Sequence, residues 1–86
     1  MDEYNDFLDL IMNSIEIHQD ILVVYEISAW IRRVKKELAY TVVFENELQI
    51  EDFLNLINKE IKNLDEKNQS IVVPHLRDFK LRMLKI

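Results

Sequence analysis

Four cations stand close together in this chain: Arg32, Arg33, Lys35 and Lys36. Side chains of this kind at this density can neutralise phosphates and release counterions, which is the chemistry of nucleic-acid contact. The formal net charge, however, is −5. A dedicated phosphate binder usually carries the opposite balance, and a run of charge on a helix is more often a solvated face. Nucleic-acid binding through these four residues, as in a small helical transcriptional regulator, is therefore the second of two functional readings.

The remaining reactive residue types are poorly placed for catalysis. His18 and His75 are the two histidines, and no HxxxH or HExxH spacing accompanies them. A zinc site needs such converging ligands. His18 continues the apolar stripe of the first segment and reads as a histidine hydrogen-bonded at a core edge. Glu16 and Asp20 stand four apart, as do Glu47 and Glu51, a spacing typical of surface carboxylates. General acid–base work needs a carboxylate raised by burial or by a like-charged neighbour, and nothing in the sequence marks one. Ser14, Ser28 and Ser70 lie outside any nucleophile elbow, and cysteine is absent. The expectation is a protein without cofactor, metal or catalytic residues.

Recognition of another protein asks for different residues. Interfaces are anchored by Tyr and Trp, and carboxylates steer a basic partner towards its site. Trp30 lies near the main apolar stripe and is expected in the core. Tyr25 and Tyr40 lie off its centre and are expected as exposed anchors. With Glu45, Glu47, Glu51 and Asp52 they form the candidate protein-binding set. The four carboxylates could also stand in for phosphates, though lysines among them make a weak mimic. The first reading is thus a small acidic, non-enzymatic interaction module, acting as an inhibitor, immunity factor or viral host-modulating factor.

These side chains must be positioned by helices. In the first segment, from about residue 2 to 18, Tyr4, Phe7, Leu8, Ile11, Ile15 and His18 recur at helical spacing. The second, from about 20 to 43, opens on Asp20 as a cap. Its stripe includes Val23, Ile27, Trp30, Ile31, Val34 and Leu38. Ile21, Leu22, Tyr25 and Ala29 add apolar residues on the other side, so this helix should be central and buried on two sides. The third runs from about 47 to 66, with Asn46 and Gln49 resembling a capping box, and carries Ile50, Phe53, Leu54, Ile57, Ile61 and Leu64. The stretch 65–70 reads as a loop. The fourth segment starts near Ser70 or Val73, with Pro74 in its first turn and Val72, Leu76, Phe79, Met83 and Ile86 along one side.

The expected fold is an all-α, antiparallel bundle of about four helices forming one domain over residues 1–86. Its core should hold Ile27, Ile31, Val34, Phe53, Ile57, Ile61 and Phe79. The total absence of glycine favours this architecture, because hairpins and phosphate loops lean on it. The alternative is an α+β fold with short strands at 21–25, 40–44 and 71–73, where β-branched and aromatic residues gather. A core built from 86 residues is thin. Leu22, Tyr25, Leu56, Leu81 and Leu84 exceed what it needs, which points to a homo-oligomer, most simply a dimer. The longest apolar run is Ile21 to Tyr25, far short of a membrane span. The opening Met1, Asp2, Glu3 lacks a positive leader, so a cytoplasmic protein is expected.

Overall fold

A computed structural model describes residues 2–44 and 49–83, with side chains described for 3–41 and 49–83. The fold is all-α, a small antiparallel bundle: α1 (Asp2–Ile15), α2 (Ile21–Phe44), α3 (Ile50–Ile61) and α4 (Glu66–Met83). The described residues contain no strand, and the runs 21–25, 40–44 and 71–73 all lie within helices. In the first and last of these runs Val23 and Val72 stand on buried helical rows, and burial along those rows outweighs a modest local propensity.

The second helix is the axis of the molecule. Its 24 residues span about 36 Å at 1.5 Å per residue, close to the 39 Å long dimension of the fold. The other three helices all pack against it, and α1 also packs against α4. Val23, Ile27, Trp30, Ile31, Val34 and Leu38 of α2 are buried. One end of the core is aromatic. Tyr4 stacks on Phe53 with ring centroids 4.4 Å apart, and Phe7 meets Phe79 at 4.7 Å. Of the seven expected core residues, six are buried and Ile61 packs half-buried against them.

The helix boundaries explain the differences from the sequence reading. The first helix stops at Ile15, whose carbonyl accepts the His18 N–H. His18 is therefore an exposed turn residue and not part of a core stripe. Its Nδ1 accepts the backbone N–H of Asp20 at 3.1 Å. Asp20 in turn caps α2, its Oδ1 accepting the Leu22 N–H at 3.0 Å.

The fourth helix begins earlier than expected. Asp65 caps it, with Oδ1 accepting the Asn68 N–H at 2.9 Å and the carbonyl accepting Gln69 N–H. The expected loop at 65–70 is thus largely helix, and Pro74 is the ninth residue of α4 and not in its first turn. A proline inside a helix costs one backbone hydrogen bond and a clash, about 3 kcal/mol. Helix formation survives because Asn68, Val72, Leu76 and Phe79 stand on one buried row while Pro74 is exposed. The third helix begins at Ile50 behind Gln49, which makes no side-chain cap bond. The expected start at Glu47, and Asn46 of the expected capping box, lie outside the described residues.

Candidate functional site

The two faces of α2 differ sharply. Opposite its buried stripe, Leu22, Glu26, Ala29, Arg33, Lys36 and Tyr40 follow one another at alternating spacings of four and three, the rhythm of a helix-packing seam. Tyr25 stands beside this row. Leu22 and Tyr25 are each 68% exposed and Tyr40 67% exposed, and Ile21 at the head of the helix is more exposed still. The expected second burial of α2 is therefore not made within the described residues. Leu81 of α4 is likewise exposed, and Leu84 lies outside the described residues.

Two grooves run beside this row. One, of about 530 Å³, is lined by Arg33, Lys36, Glu37, Tyr40, Leu56 and Lys59, among others. The second, of about 370 Å³, lies where α3 hands over to α4. Tyr25, Glu26, Trp30, Asn63, Asp65 and Asn68 are among its walls. Arg33 borders both. The first groove thus carries an excess of cations, and the second carries two carboxylates and a buried amide.

The seam between the grooves is built on Glu60, a carboxylate only 2% exposed. Its Oε2 lies 3.4 Å from Arg33 Nε and accepts a hydrogen bond from Asn63 Nδ2 at 3.2 Å. Its backbone carbonyl, in the last turn of α3, accepts both the Asn63 N–H and the Trp30 indole N–H, each at 2.9 Å. Glu37 reaches the same carboxylate from α2. A hydrogen bond to Glu60, then burial, then repulsion from the Glu60 charge push the Glu37 carboxyl above its ordinary value, and Lys59 and Arg33 partly oppose this. Sequence periodicity contained this signal. Phe53, Ile57, Glu60 and Leu64 are spaced four, three and four, so Glu60 sits on the core row, where a carboxylate needs partners.

Asn68 is the second buried polar residue, at 2% exposure. Its Nδ2 donates to Glu26 Oε2. Its Oδ1 has no partner among the described residues. An unpaired buried acceptor of this kind costs about 1–3 kcal/mol.

The structure separates the candidate residues named from sequence. Tyr25 and Tyr40 belong to the same side of α2 but to different grooves, roughly 22 Å apart along the helix. Glu51 and Asp52 are exposed in the first turn of α3 and line neither groove. Glu45 and Glu47 lie outside the described residues. The basic run is partly committed inside the fold: Lys35 pairs with Asp9 of α1 and Arg33 with Glu60. Arg32 and Lys36 are exposed. Among the described residues no group of three or more His, Asp or Glu side chains could hold a metal ion. No described helix is long and apolar enough to cross a membrane. Neither a protein family, nor a curated protein, nor a solved structure matches the chain.

Proposed function

We propose that this chain is a non-catalytic protein-interaction module whose docking face is the outward row of α2, centred on Leu22 and Tyr25. The biological roles that fit are those of an inhibitor, an immunity factor or a host-modulating factor, acting from the cytoplasm. One observation carries the reading: two large side chains, each 68% exposed, stand together on the helix against which every other helix packs. A tyrosine held on such a rigid support loses little further freedom on binding, and tyrosine is enriched among interface anchors.

The rival reading, nucleic acid held by Arg32, Arg33, Lys35 and Lys36, is weaker. Two of the four cations already face carboxylates of this chain, which leaves Arg32 and Lys36 as phosphate contacts. An enzyme reading has no support beyond the Glu37–Glu60 pair, whose members hold the α2–α3 seam together.

Site-directed photocrosslinking tests the proposal. A benzoyl-phenylalanine is placed at Tyr25 or, as a control, at the exposed Asn55 of α3, and irradiated in the native host. The expected result is one protein adduct from position 25 and none from 55. That protein, once purified, should form a defined complex with the wild-type chain and bind the Leu22→Ser/Tyr25→Ser variant at least about tenfold more weakly. Equal adducts from both positions, or adducts with nucleic acid alone, would reject the reading.

A further inference from the structure

The groove beneath Tyr25 has features that an exposed apolar patch alone does not require. Its walls include two carboxylates from different helices, Glu26 of α2 and Asp65 at the cap of α4, with the exposed ring of Tyr25 at its edge. Asn68 of α4 also lines it. This amide is 2% exposed, and its oxygen is unpaired among the described residues. Its two kinds of donor are both engaged by the flanking carboxylates: the backbone N–H by Asp65 and the side-chain Nδ2 by Glu26. Glu26 thereby holds the Asn68 side-chain amide with its oxygen left over, and Asp65 holds the backbone beneath it. Buried acceptors without partners are rare in folded proteins and ask for a donor.

The donor that fits this setting is cationic. Arg33 also borders the groove, but its charge faces Glu60 on the opposite side. Lys67 feels the charges of Asp65 and Glu26, but its ammonium is paired with Asp20 and it is not among the groove's walls, where Glu26 and Asp65 outnumber Arg33. A guanidinium or ammonium entering here would meet carboxylate oxygens, an unpaired amide oxygen and the face of an aromatic ring, the three groups that recognise organic cations. A neutral donor would satisfy the amide and leave the carboxylates and the ring unused. We propose that the Tyr25–Glu26–Asp65–Asn68 groove receives an arginine or lysine side chain of a protein partner. This rests on the protein-docking reading and adds the partner's chemistry: a basic segment whose apolar neighbours lie over Leu22 and Tyr25. The overall charge of −5 would draw such a segment in from a distance.

The test uses N-acetyl-arginine N-methylamide as probe and its citrulline counterpart as the neutral control, each titrated into ¹⁵N-labelled full-length protein. Expected are saturable shifts of the Asn68 side-chain amide and of the backbone amides of Tyr25 and Glu26. The citrulline compound should bind about tenfold more weakly. Glu26→Gln, an exposed change whose folding is checked by circular dichroism, should weaken the arginine probe about threefold or more without shifting the citrulline response. Equal responses to the two probes would overturn the proposal, as would shifts confined to other carboxylates. So would an unchanged arginine response in folded Glu26→Gln. Shifts at Tyr25 and Asn68 produced by concentrating the protein alone would place a second copy in the groove. Displacement of the arginine probe by a DNA oligonucleotide bound at these same residues would place nucleic acid there. Either result overturns the proposal. Failure of the cation probe with crosslinking at position 25 intact would remove only the cation, whereas loss of the crosslink removes the docking reading itself.

Discussion

Both sides of α2 carry large apolar residues near its start, and those residues meet opposite fates. Its inward row, Val23, Ile27, Trp30, Ile31, Val34 and Leu38, is at most 2% exposed. Its outward row begins with Leu22 beside Tyr25, apolar and aromatic residues that the described chain leaves open. Over most of the helix hydrophobicity assigned the faces, since Glu26, Arg33 and Lys36 fall on the outward row, but at Leu22 and Tyr25 it did not. The supply of partners did: α1, α3 and α4 bring Ile, Leu and Phe stripes enough to cover one side of a helix 24 residues long. In a domain this small the apolar surface in excess of that supply stays outside, where it can be used.

The largest expected effect comes from breaking the inward face. Trp30→Ala removes the largest side chain of the core and takes one of two donors, beside the Asn63 N–H, from the Glu60 carbonyl at the end of α3. A loss of about 3–5 kcal/mol is expected from the cavity alone. For a domain of this size that is a fall of more than about 12 °C in Tm, measured by thermal circular dichroism. Trp30→Phe should lose less, since it keeps most of the ring volume and gives up the indole hydrogen bond.

A smaller effect, and one with a sign that depends on pH, is expected at the seam between the faces. The Glu37 carboxyl is raised above its ordinary value of 4.5 by the hydrogen bond to Glu60, by burial and by the Glu60 charge. The folded state thus holds this proton more tightly than the unfolded chain does. The stability it contributes is complete below the ordinary carboxylate value and is lost as pH rises through the raised one. Glu37→Gln cannot lose that proton, and its amide can still donate to Glu60. The stability difference, variant minus wild type, should therefore grow from about pH 4 to pH 7 in urea unfolding. A difference independent of pH would show that the two carboxyl groups do not interact.

Much of this architecture was legible in the residues. A period of 3.6 sustained through α1, α2 and α3, with no glycine anywhere, was enough for four helices and for α2 at the centre. What escaped was polar. Glu60 and Asn68 occupy positions on the buried rows, between Ile57 and Leu64 and ahead of Val72. Read by residue type they look like surface; read by position they are core. Asn68 also hid the start of α4, because Asp65, Asn68 and Ser70 are turn formers, and the same Asp65 that suggests a loop is the cap of a helix. Pro74 then drew the expected start too late. Of the candidate site, Tyr25 and Tyr40 were rightly expected to be exposed, since both lie off the inward stripe. The grooves beside them arise from how α3 and α4 meet α2, and that tertiary arrangement leaves no trace in the spacing of a single helix.

The smallest effect on stability is expected on the outward face, and it is the sharpest test of the comparison. Leu22→Ser with Tyr25→Ser removes two large side chains, each 68% exposed. Both are mostly exposed in the monomer, so unfolding free energy should stay within about 0.5 kcal/mol of wild type. The neighbouring Val23→Ser, at a residue 2% exposed, should cost several times more by placing a hydroxyl in the core. The contrast between adjacent positions removes composition and helix propensity as explanations, since every change is to serine within the first five residues of one helix. A loss above about 1 kcal/mol in the outward pair would mean that these side chains are covered after all. The concentration dependence of Tm would then identify the cover. A Tm that rises with protein concentration in the wild type and not in the pair marks a second copy on this face, because association stabilises by mass action. A concentration-independent Tm in both, with stability unchanged, leaves the face open for a different partner.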